Sequence, residues 1–471
     1  MMKILENLVY ILKTLLCYTI KTLEANLVVD ESKKSKDILK AVLNVATPVI
    51  ISNLLYTVET LVSLLLVSHL GKSAIAGVGY SISMMWFVYS LMALTYNGTS
   101  IMVSHRVGAG KPFFDVFLSG IVLSLLLSIP IALFGTKFIP ELMLLFGAKK
   151  DIANIATIYL KPIFLTAFIQ FATEVFYATY SGMGQTKFPF KVSVIMNITN
   201  IASSYVLING KLGFRAFGIE GAAFGIVISE VVGFLIYTYV LFVNKPFGKL
   251  SFKSLKTILE MLKLGIPVTV DRGLTSLSFN LFVGFVARFG NTILAAYQIG
   301  LRLESISFMI GYALSISASV LTGQNFGAGN IKGAFRGAKI IAKFSALAMG
   351  IVGLMVIILS KYMAMIFTSD KNIIHYAEIY LIMVGLTQVF LSYSFVLSGA
   401  IKGLGKTYIP MIVNIVSFWV FRIIPIVVML KYIFNPYVPW VFMSVETVAR
   451  AICFLVVFKI LEKNMLEVRY G

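Results

Sequence analysis

Charge is what this sequence has little of. Asp, Glu, Lys and Arg make up 13% of its 471 residues, against 59% hydrophobic ones and a mean hydropathy of +0.92. A water-soluble domain would expose too much of such a chain, so it belongs to the polytopic membrane class. Cysteine is scarcer still. Cys17 and Cys453 lie at opposite ends in apolar contexts, with no metal-ligand spacing and no second partner for either. The three histidines are scattered, without HxxxH or HExxH spacing, so a metal site has no support. No nucleophile-base arrangement is present, Gly327-Ala328-Gly329 is followed by Asn330 without the Lys-Ser/Thr of a P-loop, and the motif of ATP hydrolysis is missing, which points away from an enzyme, an ATPase or a cofactor protein. Acid is rarer than base, giving a net charge of +20. The basic residues nevertheless sit in short loops between apolar runs, where they orient the chain and touch anionic lipid, and nucleic acid is not an expected partner.

What is present is apolar length. Twelve crossings are counted, centred near residues 55, 89, 127, 168, 201, 232, 276, 308, 353, 390, 418 and 448. The second is the clearest, since residues 73–104 carry no formal charge; the fourth and seventh are interrupted by Glu174 and by Asp271 and Arg272. Before them, residues 4–29 repeat polar positions at three-four spacing, which predicts an amphipathic helix lying in the membrane interface. Residues 1–40 are thus read as that helix and a linker. Loop charge alternates, with Lys33, Lys40, Arg106, Lys111, Lys187, Lys256, Lys332, Arg336, Lys402 and Lys406 among the residues gathered on one side. The positive-inside bias then puts both termini in the cytoplasm of a cell (inner) membrane protein.

The chain repeats itself. Pro48, Gly71, Ala76, Ser100 and Gly108-Ala109-Gly110 fall without a gap on Pro267, Gly290, Ala295, Ser319 and Gly327-Ala328-Gly329, and GMGQTKFP from Gly182 recurs as GLGKTYIP from Gly403. Six crossings per repeat predict two lobes entering the membrane in one direction, related by a pseudo-two-fold along its normal, with a transport site between them. The expected division is an N-lobe over 41–243, a cytoplasmic linker over 244–257 and a C-lobe over 258–471. The fold class is all-α.

Polar residues inside the crossings mark the candidate site. The first crossing carries Ser52, Tyr56, Glu59 and Ser63 on one stripe, and the seventh places Asp271, Thr275 and Ser278 at the positions matching Ser52, Tyr56 and Glu59. The fourth adds Gln170, Glu174, Tyr177 and Ser181, the fifth Ser193, Asn197, Asn200 and Ser204, and the eighth Gln298, Arg302 and Glu304. An intramembrane acid on a polar stripe marks an ion or substrate path, and that reading is preferred for Glu59 and Asp271. Asp271 has Arg272 and Arg302 as alternative, structural partners. Glu304 is open between function and structure, and Arg302, two residues away, points to another face. Glu230 and Glu446 are read as structural, with Arg450 one turn from Glu446. The glycine motifs are read as turns.

The stretches GQNFGAGN at 323–330, RLESISFM at 302–309, GMGQTKFP, and GKLGFRAFGIEGAA at 210–223 resemble the multidrug and toxic compound extrusion family, from about Ala41 to the last helix. The resemblance implies twelve helices in two six-helix lobes and secondary antiport, in which inward H+ or Na+ flow drives export of small organic, often cationic, compounds. Lipid-linked oligosaccharide flippases of the wider superfamily are the alternative, and would use Arg272, Arg302 and Arg422. The bilayer and the organic substrate are the expected partners; no obligatory protein partner is indicated. Two positions depart from the family pattern. Its usual first-helix aspartate is here Ser63, ahead of SHLG, and the aspartate four residues after the fifth-helix asparagine is here Ser204. Either Glu59 substitutes, or coupling lies around Asp271 and Glu304.

Overall fold

The computed structural model describes residues 27–29, 34–145, 149–244 and 254–470. The amphipathic helix expected at the N-terminus, apart from residues 27–29, and positions 245–253 of the expected linker lie outside these. The described residues form twelve helical passes: α1 Ser35–Ser68, α2 Lys72–Gly108, α3 Phe114–Leu144, α4 in two halves Lys150–Leu165 and Ala167–Gly182, α5 Lys187–Asn209, α6 Ile219–Asn244, α7 Ser254–Ala287, α8 Asn291–Gly327, α9 Ile331–Met365, α10 Lys371–Gly403, α11 Tyr408–Met429 and α12 Tyr437–Tyr470. Each expected crossing falls in one of them. Nine are long and apolar enough to cross a bilayer individually, and α4 makes a tenth if its halves are one bent pass.

Departures from straight helix have local causes. The break in α4 falls at Thr166, eight residues before Glu174, and the halves meet at 57°. Pro162 removes a ladder N–H just before it, and the Thr166 hydroxyl donates to the Pro162 carbonyl at 2.9 Å. Short π turns interrupt α3 over Ile131–Gly135 and α11 over Ser417–Ile423.

Two compact units are formed. Of the described residues, unit 1 holds those within 48–107 and 111–265, and unit 2 those within 27–47, 108–110 and 266–470. The first half of α1, up to Thr47, therefore packs in unit 2, and the first half of α7, up to Gly265, packs in unit 1. In both helices the change falls beside the repeated proline, Pro48 or Pro267.

The repeat seen in sequence is a repeat of contacts. Within unit 1 a Cβ on Gly182 would lie 2.6 Å from the Ser100 carbonyl oxygen, and within unit 2 one on Gly403 would lie 2.2 Å from that of Ser319. Only glycine permits this backbone approach between passes. Gly98 meets Met261 in unit 1, and at the equivalent positions the Ser317 hydroxyl reaches the Val42 carbonyl in unit 2. Left-handed glycines recur too: Gly71 and Gly290, Gly110 and Gly329, Gly184 and Gly405 all have positive φ. The last pair lies in the two GxGxTxxP stretches, which form turns as their composition predicts.

Candidate functional site

In unit 1 the second half of α1 brings Glu59 against α5. The Asn200 amide nitrogen donates to Glu59 Oε1, while the Ser204 hydroxyl donates to Asn200 Oδ1 at 3.0 Å. With its oxygen held by Ser204, the amide can only present its N–H groups to the carboxylate. Gly225 of α6 supports the pair from behind, since a Cβ there would sit 1.9 Å from Ser204 Oγ and 3.0 Å from Asn200 Oδ1. Tyrosines stand nearby. Tyr56, one turn from Glu59, hydrogen-bonds Tyr89, and Tyr159 of α4 lies in the electrostatic reach of both Tyr56 and Glu59. Glu230 of α6 shares this neighbourhood with Glu174 and Glu59 and is bonded by Thr173, yet its Oε2 is buried with no hydrogen-bond partner among the described residues. Neither Glu59 nor Glu230 has an ion pair with Lys or Arg among them. Ser63, at the position where the family usually has aspartate, carries a buried hydroxyl oxygen without a partner among the described residues. Asn197 donates to the Ser193 carbonyl at 2.7 Å, and Gln170 to the Ile163 carbonyl at 3.4 Å across the α4 bend.

Unit 2 holds an acid–asparagine pair of the same kind in a different register. Both Asp271 oxygens accept from Asn414 Nδ2, at 3.1 and 2.9 Å, and Thr275 Oγ1 lies 3.4 Å from Oδ1. Lys402 Nζ is 4.0 Å from Oδ2. Asp271 is thus partnered by Lys402 and Asn414 rather than by Arg272, which donates to Tyr312, or by Arg302. At the repeat-equivalent positions unit 1 has Ser52 and Ser193, whose hydroxyls lie 3.3 Å apart. At the equivalents of Glu59 and Asn200, unit 2 has Ser278 and Phe421. Each unit therefore has one carboxylate–amide pair joining the first and fifth helices of its repeat, and the two pairs are seven residues, about 10 Å along a helix, out of register.

Two further acids of unit 2, Glu304 and Glu446, are each held by partners. Glu304 accepts from the Tyr380 hydroxyl at 2.7 Å, and Tyr380 packs edge-on against Tyr297 and Trp440. Glu446, fully buried, binds Arg422 at 2.5 Å as well as the expected Arg450 at 3.1 Å. Arg422, carried on the π turn of α11, also lies 4.9 to 5.4 Å from the rings of Phe279, Phe282 and Phe418. Gln298 and Arg302 are exposed and join neither acid. Reading residues singly missed Asn414, Lys402, Tyr89, Tyr159 and Tyr380. The repeat offered a signal for Asn414, whose equivalent is Ser193 on an expected stripe; nothing local distinguishes the tyrosines from ordinary core.

The motif GQNFGAGN does more than turn. Gln324 Oε1 accepts from the Leu27 N–H at 3.0 Å, Asn325 accepts from Val29 N–H at 2.8 Å and donates to Leu27 C=O at 2.9 Å, and Asn330 donates to Val29 C=O at 2.5 Å. Asn330 also caps α9 by accepting from Gly333 N–H. Three amides clamp a non-helical backbone segment, Leu27 to Val29, ahead of α1.

The family model MatE matches residues 48–206 and 267–428. A relative from Thermotoga maritima, named probable multidrug resistance protein NorM, is 29% identical over 84% of this chain and 86% of its own length. The Bacillus subtilis protein named probable multidrug resistance protein YoeA is 23% identical over 83% and 87%. Among solved structures, a MOP superfamily transporter from Pyrococcus furiosus superposes with a TM-score of 0.83 at 21% identity, covering 90% of this chain and 96% of that one. A MATE transporter in a bent conformation gives 0.85 at 21% identity, with 91% and 96% covered. The contacts that recur in the two units run parallel to the two spans matched by one family model, and this multi-pass membrane chain belongs to the MatE family.

Proposed function

We propose that the chain is a secondary antiporter of the cell (inner) membrane that exports small organic cations in exchange for H+ or Na+, with both termini cytoplasmic. MatE members are transporters, and relatives named for multidrug resistance support the drug-export class. The observation that carries the coupling is Glu59, an acid in an apolar pass held by Asn200 and Ser204 with no basic partner among the described residues. Burying an uncompensated carboxylate costs several kcal/mol, so the site favours whichever cation neutralises it. A proton, Na+ or the positive group of a substrate can do this, and mutually exclusive occupancy is what exchange requires. Asp271 suits coupling less well, because Lys402 and the Asn414 amide already compensate it. The lipid-linked-anion alternative draws little support from Arg422, which is buried against Glu446 and three rings.

Transport of a radiolabelled organic cation into inverted vesicles, with and without an imposed H+ or Na+ gradient, tests the assignment. Glu59→Gln keeps size and hydrogen bonding but fixes the neutral state, and is expected to reach the membrane while losing at least tenfold of the gradient-driven rate. Wild-type transport by Glu59→Gln together with an inactive Asp271→Asn would move coupling to unit 2.

A further inference from the structure

We propose that the start of α9 and the end of α12 form a binding site for the headgroup of an anionic phospholipid. Lys332, Arg336, Lys339 and Lys343 are all exposed and recur at spacings of four, three and four, one stripe on α9. They line a groove of about 320 Å³ together with Ser35 of α1 and Glu462 of α12, all within unit 2. Among the described residues lining the groove the acid is Glu462, and it is bound by Lys339 at 2.5 Å. The opposite face of the same turns is packed away, with Phe335 buried against Phe458.

The rest of the stripe on α9 identifies the ligand. Beyond Lys343 the exposed face continues at Leu347, Ile351, Leu354, Ile358 and Tyr362, again at spacings of three and four. One helix face is therefore basic for about 16 Å and then apolar for about 22 Å, roughly three-quarters of the thickness of a hydrocarbon core. A free anion would use only the basic end. A phospholipid uses both, its phosphate in the groove and its acyl chains along Leu347, Ile351 and Leu354. Basic pockets between helices at the membrane surface take anionic headgroups in this way.

The full chain, purified and delipidated in detergent, is titrated with cardiolipin, with phosphatidylglycerol and with phosphatidylcholine of matched acyl chains, and bound lipid is counted by native mass spectrometry. Cardiolipin and phosphatidylglycerol are expected to bind, phosphatidylcholine to bind at least tenfold more weakly, and inorganic phosphate at millimolar concentration not to displace either anionic lipid. Arg336→Gln with Lys343→Gln removes two of the four cations at exposed positions, and is expected to weaken the anionic lipids about thirtyfold with phosphatidylcholine unchanged. Arg336→Lys with Lys343→Arg is expected to retain binding. Equal retention of all three lipids, an unaffected double glutamine variant of unchanged melting temperature, or full displacement by inorganic phosphate would each overturn the lipid assignment.

Discussion

Glu446 and Glu59 show how the same side-chain type is spent in two ways. Glu446 neutralises Arg422 and Arg450; Glu446 and Arg422 are buried, and Arg450 is half-buried beside them. Removing one partner of a buried pair leaves charge uncompensated, at a cost of about 3 to 5 kcal/mol. Glu446→Ala should therefore lower the melting temperature of the purified protein sharply, and more than Glu59→Gln, which relieves an uncompensated carboxylate. If Glu59→Gln is the more damaging of the two, Glu59 is a structural acid. Gly225 gives a second test at this scale. A methyl there collides with Ser204 and Asn200, and overpacking of this kind costs about 1 to 3 kcal/mol. Gly225→Ala should be modestly destabilised, while its apparent affinity for the coupling ion falls well below that of a control at Gly284, where a Cβ meets open space.

At the scale of elements, α1 and α7 are each divided between the units, and α1 is fixed at its start. The amides of Gln324, Asn325 and Asn330 hold the backbone of Leu27 and Val29 on unit 2, where Val42, Val45 and Ala46 are also fully buried. Such bonds should protect the Leu27 and Val29 amides from hydrogen exchange. Asn325→Leu removes both a donor and an acceptor, and is expected to raise exchange at Leu27 and Val29 by about tenfold or more while leaving the core of α10 protected. Unchanged exchange would mean the clamp contributes nothing to holding this segment. The sequence carried no sign of this arrangement, because three amides near a helix end read equally well as a solvated turn. Helix number and repeat were legible for the opposite reason: apolar length and a gap-free spacing are properties of the chain taken alone. Glu59 was legible because an acid in a charge-free run is costly anywhere in a bilayer. Its partner's orientation was not, since what aims Asn200 is Ser204 and the close approach of Gly225, a fact of packing between α5 and α6. The π turn of α11 likewise carries Arg422 to Glu446, a pairing that straight-helix spacing does not reveal.

For the whole molecule, twelve passes and the distribution of basic residues make a statement about sidedness. An even number of crossings returns the chain to the side on which it began, and each turn between passes inherits a side from its place in that order. The turn between α10 and α11, with Lys406 and with Lys402 in the last turn of α10 beside it, belongs with the start of α1 and its Lys34, Lys36 and Lys40; the turn between α11 and α12, with Lys431, belongs opposite. Basic residues are retained on the cytoplasmic side, so the richer set should face inward. Lys406 and Lys431 are both exposed, which makes them suitable reporters once Cys17 and Cys453 have been replaced. A cysteine at 431 should react with a membrane-impermeant thiol reagent added to intact cells, and a cysteine at 406 should react only after the membrane is opened. The reverse pattern would invert the molecule, placing the Lys332 to Lys343 groove in the outer leaflet and reversing the direction of transport that Glu59 is proposed to couple.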